Sequence, residues 1–199
     1  MTIKELLGAI AVVLTILGYI PYIRDTLKGK TTPHVYTWFL WSLVSYIAFA
    51  LQISDKAGPG AYLTFTAATV TLIISILGLR QGKRDITFSD TVFLILALIA
   101  LVLWLFAKQP TASIILVSIV DVLAFVPTIR KSWKKPQEET LSSYATNTVR
   151  FAIGIAALER YTLVSSLYPF IWLVANGLFS LYLVIRRQQV QKTIEEPAQ

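Results

Sequence analysis

The chain has 199 residues, 55% of them hydrophobic and 15% charged, with a mean hydropathy of +0.65 and a formal net charge of +7. A soluble domain carries about 25% charged residues, so this composition speaks against a soluble enzyme and for a membrane protein. There is no cysteine, which excludes disulfides, thiol chemistry and a cysteine metal site.

About twenty apolar residues cross a hydrocarbon core, and seven segments qualify. The first, about residues 6–23, follows Lys4 and lacks the charged leader and small-residue cleavage motif of a signal peptide. It is therefore expected to stay in the mature chain. It ends at Pro21, Arg24 and Lys28, and the breaker Gly29-Lys30-Thr31-Thr32-Pro33 with His34 follows. The second span, 35–52, carries Trp38, Trp41 and Ser45; Gly58-Pro59-Gly60 separates it from the third, 60–79, which ends at Arg80, Lys83 and Arg84. In the fourth, 92–107, the stretch from Val92 to Phe106 contains only Ala, Val, Ile, Leu, Phe and Trp, so it can face lipid all round. Gln109-Pro110 opens the fifth, 112–129, with Asp121 and Pro127, and Arg130, Lys131, Lys134 and Lys135 follow it. After the solvated turn at Pro136-Gln137 comes the sixth, 141–158. Ser142, Ser143, Thr146, Asn147, Thr148 and Arg150 crowd its first half, a polarity that must face protein or a cavity. The seventh, 162–185, holds Asn176 and ends at Arg186 and Arg187.

Thirteen of the eighteen Lys and Arg residues lie in the four clusters after spans one, three, five and seven, the last including Lys192. Single cations, Lys4, Lys56, Lys108 and Arg160, mark the other turning points. Cationic loops are retained on the cytoplasmic side, so the alternation implies an outer N-terminus and a cytoplasmic C-terminus in the cell membrane. It also accounts for the net charge without a nucleic-acid partner. The lipid bilayer is the partner it requires.

A shift of 106 positions aligns the two halves without a gap. Pro21, Ile23, Arg24 and Lys28 fall on Pro127, Ile129, Arg130 and Lys134; Tyr62 falls on Tyr168 and Arg80 on Arg186. A three-span unit copied in tandem inserts upside down unless one extra helix restores its orientation. The chain thus divides into a first triple-helix repeat (1–84), a linker helix (85–110), a second repeat (111–188) and a cytoplasmic tail (189–199). The expected fold class is all-α integral membrane, two parallel triple-helix bundles joined by an inversion linker. Parallel repeats of this kind place a central site between the halves of a transporter.

Gly18 to Thr32 at the end of span one, and Phe125 to Trp133 at the end of span five, resemble the helix ends of the SWEET and PQ-loop superfamily. The similarity covers nearly the whole chain. Tyr22 and Thr128 stand where the family has the Gln of its Pro-Gln pair, and of its paired Asn residues only Asn176 is present, with Val70 at the equivalent position. The resemblance implies alternating-access transport of a small polar solute: a sugar, an amino acid or a nucleoside- or vitamin-like molecule. It also makes Pro21 and Pro127 hinges of an inner gate, since each removes a helix hydrogen bond. Trp38-x-x-Trp41 is similar to the nicotinamide riboside transporters, which share the 3 + 1 + 3 plan. A receptor on the same scaffold, exemplified by the KDEL receptor, and a structural or assembly protein are the rival functions.

Helices rise about 1.5 Å per residue, which puts Asp121, Arg150 and Asn176 at one depth, roughly 14 Å from the cytoplasmic ends. Asn147 shares the helix face of Arg150, and Trp38 and Trp41 reach the matching level of the first half. The expected substrate site is therefore Asp121, Asn147, Arg150, Asn176, Trp38 and Trp41. Asp121 and Arg150 are costly at that depth unless paired. Either they bind substrate or exchange a proton, or they form a structural clamp between spans five and six. Trp38 and Trp41 read as a stacking platform or as bundle packing. His34 reads as a solvated loop residue, and one histidine builds no metal site. No cofactor is expected. No nucleophile–base pair, glycine-rich phosphate loop or paired-carboxylate site appears, so an enzyme is not expected; a homo-oligomer is compatible.

Overall fold

The computed structural model describes residues 1–29, 33, 35–80, 88–134 and 136–195, without the side chains of 36, 89–90, 126–128, 130–131, 134, 138 and 192–195. Among these residues the chain forms seven α-helices: α1 (Ile3–Leu27), α2 (Val35–Ser54), α3 (Tyr62–Leu79), α4 (Phe88–Leu105), α5 (Pro110–Lys134), α6 (Leu141–Ala156) and α7 (Leu163–Glu195). Short 3-10 turns, Gly58–Ala61 and Pro136–Glu138, precede α3 and α6. Each of the seven apolar segments thus becomes one helix. His34, Lys30, Lys83, Arg84 and Lys135 lie outside the described residues, as do the side chains of Pro127 and Thr128.

Local chemistry sets the helix ends. At the start of α1 the Thr2 hydroxyl accepts from the Glu5 backbone N–H, and the Glu5 carboxylate accepts from that of Thr2. This capping box satisfies two backbone donors that a helix start leaves free. Helix α2 ends in a Schellman motif, with Lys56 N donating to Ile53 O and Ala57 N to Gln52 O. Lys56 takes the left-handed conformation (φ 59°) that glycine usually supplies there. Pro169 lies inside α7 and has no N–H to give the Ser165 carbonyl one turn earlier. That carbonyl accepts instead from the Gln52 side chain of α2, at 3.1 Å. The helix defect is thereby converted into a bond between α2 and α7.

Among the described residues four helical stretches are long and apolar enough to cross a membrane: Ile3–Leu27, Thr37–Ser54, Gly58–Leu79 and Leu163–Gln191. Helices α4 and α5 contribute shorter apolar runs, Thr91–Leu105 and Pro110–Phe125. Helix α6 has 16 residues, about 24 Å at the usual rise, and its polar first half keeps it from that group. Large apolar side chains point outward along the bundle: Leu6, Ile10, Val13, Leu17 and Ile20 on α1, Ile95, Ile99 and Val102 on α4. Soluble monomers rarely expose contiguous apolar surface of this extent, whereas lipid tails solvate it without penalty.

Helix α7 runs 33 residues, about 50 Å, well past the expected span end at residue 185. Its polar extension is anchored by cations. The Arg186 guanidinium lies over the Trp133 ring at 4.3 Å and donates to the Trp133 carbonyl, while Arg187 donates to the carbonyls of Pro136 and Glu139.

Inside the bundle α2 is the hub. Leu40, Val44, Ile47, Ala48 and Leu51 pack with Ala97 and Ala100 of α4, Ile114, Val117 and Val120 of α5, and Val164 and Tyr168 of α7. The expectation that the fourth span faces lipid on all sides is therefore corrected. Its Ala97 and Ala100 are fully buried, and the Ser113 hydroxyl of α5 donates to the Ala100 carbonyl at 2.6 Å. Small side chains let the two backbones approach, and apolar composition alone does not reveal which face does so. Further contacts join α1 with α3 and α6, α2 with α3, α5 with α7, and α6 with α7. Packing is tight at Gly154 of α6, where a Cβ would sit 1.7 Å from a Leu63 methyl; a Cβ on Gly60 would meet the Gly154 carbonyl at 2.4 Å.

Candidate functional site

Polar groups that apolar helices normally exclude gather in the bundle interior as a belt of two separate networks. It begins on α2 and α7. Tyr168 donates its hydroxyl proton to Asp121 of α5 at 2.7 Å, so the Ser45 hydroxyl, 2.9 Å from the Tyr168 oxygen, must be the donor to it. The Trp172 indole N–H donates to the same carboxylate oxygen at 2.7 Å, and the other oxygen, Oδ1, is buried without a partner. One turn on, Asn176 donates to the Trp172 carbonyl and accepts from the Asn147 amide of α6 at 3.2 Å. Tyr168, Trp172 and Asn176 lie four residues apart, which places them on one face of α7.

Arg150 of α6 turns the other way, toward α1. Its Nη1 donates to the Thr15 hydroxyl at 3.0 Å, and Thr15 in turn donates to the Ala11 carbonyl. The guanidinium lies 5.4 Å from the Tyr19 ring centroid and 4.7 Å from that of Phe151. Arg150 is 2% exposed, and its Nε has no acceptor among the described residues. An aromatic row continues from Tyr19 to Trp38 (6.4 Å), which touches Tyr22 (4.7 Å) and Trp41 (5.3 Å). The Trp41 indole N–H is likewise buried without a partner among the described residues.

Several expectations change. Asp121 and Arg150 do not pair: Asp121 takes its hydrogen bonds from Tyr168 and Trp172, Arg150 gives its own to Thr15, and no ion pair joins the two among the described residues. Equal depth says nothing about azimuth around a helix, and the two side chains leave α5 and α6 toward different neighbours. Asn147 and Arg150, three residues apart on α6, likewise separate, one to α7 and the other to α1. Asn147 and Asn176 do meet. Trp38 and Trp41 touch edge to face, at 80° between planes, so they form a corner rather than two parallel plates. Pro21 sits inside α1, which continues through it, and the backbone at Pro127 lies within α5.

The residues that sequence reasoning did not select are Tyr168, Trp172, Thr15 and Tyr19. A signal for the first two was present in the four-residue spacing to Asn176. Thr15 is the position that the 106-residue shift places on Asp121.

A second polar cluster closes one end of the bundle. The hydroxyls of Thr162 and Ser165 donate to the Asp55 carboxylate, and Arg160 donates to the Asp55 carbonyl at 3.4 Å. Glu159 N donates to Ala57 O at 2.8 Å, Gly60 N to Ala157 O at 3.2 Å, and the Lys4 ammonium to Leu158 O at 2.5 Å. Each of these bonds joins the part of the chain before residue 80 to the part after 110. No protein-family model, curated protein or solved structure matches this chain.

Proposed function

We propose that the chain is a seven-span SWEET-like transporter of the 3 + 1 + 3 plan, moving a small polar solute between residues 1–84 and 111–188 by alternating access. The observation that carries this reading is the belt. An acid, a guanidinium and one amide lie buried, with a second amide half-buried beside them, among five helices whose outer faces are apolar. Such groups inside a membrane segment mark solute or proton pathways by default, because each is costly there and has to be compensated. The packing supports the repeat. Helices α1 and α2 both contact α3, α5 and α6 both contact α7, and α1 meets α6 as α5 meets α2. Exchanging the first three helices with the last three leaves this contact set unchanged, and α4 stands apart on α2 and α5.

In this reading Asp121, Asn147, Arg150, Asn176, Trp38 and Trp41 handle the solute, and Asp121 is the group that would exchange a proton if transport is ion-coupled. Pro21 and Pro127 are the hinges. The Asp55 cluster closes the outer side, opposite the cationic clusters. Lys4, Lys56, Lys108 and Arg160 would then all face outward, with the cation-rich ends in the cytoplasm. Reporter fusions at Lys83 and Gln199 are expected to read cytoplasmic together; a split result rejects the seven-span arrangement.

Function is tested by screening sugars, amino acids and nucleoside- or vitamin-like solutes for thermal stabilisation of the purified protein. Each hit then goes into proteoliposome uptake. Saturable uptake supports a transporter, stabilisation without uptake makes the protein a receptor, and neither result leaves a structural role. The Pro21→Ala, Pro127→Ala double variant restores two backbone donors and is expected to lower uptake with little change in melting temperature. Uptake at the wild-type rate in that variant means that the prolines are passive.

A further inference from the structure

The belt contains one charge that the fold leaves uncompensated. Among the described residues no carboxylate contacts Arg150, and its hydrogen bond to the neutral Thr15 hydroxyl is the only one it makes. A guanidinium has five N–H donors in one plane. Tyr19 and Phe151 contribute ring contacts but offer its N–H groups no oxygen acceptor. Moving such an ion out of water carries a large desolvation penalty even after relaxation, and one neutral hydroxyl with two ring contacts offsets only part of it. The acid of the belt is committed elsewhere, to Tyr168 and Trp172. A second unsatisfied donor, the Trp41 indole N–H, lies in the aromatic row that begins at Tyr19 beside Arg150. Both orphan donors therefore require an acceptor that the described residues do not supply.

We propose that the solute handled by this belt is a small organic anion with a planar ring, its carboxylate held by Arg150 and its ring seated against the Tyr19–Trp38–Trp41 row. The proposal rests on the reading of the belt as a solute site and narrows it. Arg150 presents a fork that matches a carboxylate bidentately. The Trp38–Trp41 corner offers both a ring face and an N–H donor, which suits a flat heteroaromatic better than a sugar. A cationic solute is disfavoured by the same uncompensated charge.

Three probes that share one ring separate charge from shape: nicotinate (anion), nicotinamide (neutral) and 1-methylnicotinamide, methylated on the ring nitrogen (cation), with benzoate and benzamide as a second pair. Binding to the full chain in detergent is read by thermal shift and by quenching of tryptophan fluorescence. The acids are expected to bind at least about tenfold more tightly than their amides, and the cation more weakly still. Arg150→Gln should remove the preference for acid over amide. Arg150→Lys, which keeps the charge without the fork, should retain part of it. Equal binding of acid and amide to the wild-type protein overturns the proposal without any variant, as does acid preference that survives Arg150→Gln. Absence of binding by both acids also overturns it. Uptake separates this idea from the transport reading. Acid-selective binding without uptake keeps the anion site and removes transport, whereas uptake of a neutral sugar with no acid binding does the reverse.

Discussion

Arg150→Gln is expected to leave the melting temperature of the ligand-free protein unchanged or higher, while Asp121→Asn lowers it and the two effects add. The asymmetry follows from how each charge is held. Asp121 receives two short hydrogen bonds from Tyr168 and Trp172, both at 2.7 Å, and charge-assisted bonds of this kind contribute about 1.5–3 kcal/mol each. An asparagine keeps the shape but weakens both bonds, a loss of roughly 1–3 kcal/mol. Arg150 is buried with a single neutral acceptor, so replacing it with glutamine removes a desolvated charge and keeps a group able to bond Thr15. Stability and function then part company at Arg150. If the proposed anion site is right, the variant folds as well as the parent and loses its preference for acids over amides, the usual trade at a site kept unsatisfied for a ligand. A salt-bridged pair behaves differently: each single variant is strongly destabilised and the double variant partly recovers. Melting temperatures of the two single variants and the double variant, combined as a thermodynamic cycle, distinguish the two cases. Recovery in the double variant would falsify the separation of Asp121 from Arg150.

Gly154→Ala is expected to cost about 1–3 kcal/mol and Gly154→Leu to abolish accumulation of folded protein. The added Cβ would lie 1.7 Å from Leu63 Cδ2, and Leu63 is itself fully buried, so its side chain has no free space to enter. The neighbouring Gly60 is equally constrained, with the Gly154 carbonyl 2.4 Å from its missing Cβ. In a bilayer, where lipid tails are as apolar as leucine, close backbone packing is the main force that holds helices together, so this crossing carries more weight than its size suggests. Leu63→Ala vacates the volume that the new methyl needs. It should return part of the stability of Gly154→Ala, although on its own it is destabilising. Melting curves and size-exclusion profiles in detergent check both effects. A silent Gly154→Ala would mean that α6 and α3 do not approach as described.

What the sequence determined by itself was everything that depends on one-dimensional pattern. Seven apolar runs separated by Gly, Pro and Lys/Arg clusters became seven helices, because length, hydrophobicity and chain breakers act locally. Of the polar crowd in the first half of α6 only Arg150 is buried, with Ser143, Thr146, Asn147 and Thr148 half-buried and Ser142 exposed; Asp121 of α5 and Asn176 of α7 are almost fully buried. Counting residues along helices put Asp121, Arg150 and Asn176 at one depth, with Asn147 on the helix face of Arg150; of these four, Asn147 and Asn176 hydrogen-bond across α6 and α7. The tertiary structure alone decided which partners those groups chose. Depth is a coordinate along each helix, whereas a contact also depends on helix rotation and on which helices are neighbours. Asp121 therefore went to Tyr168 and Trp172, and Arg150 to Thr15 and Tyr19. The same limit explains α4, whose uniform apolar composition concealed the Ala97–Ala100 face buried against α2 and α5. It also explains Gln52, which reads as an ordinary polar residue at a helix end until Pro169, more than a hundred positions away, frees a carbonyl beside it. Side-chain pairing across a bundle is set by packing between helices that the linear pattern does not encode.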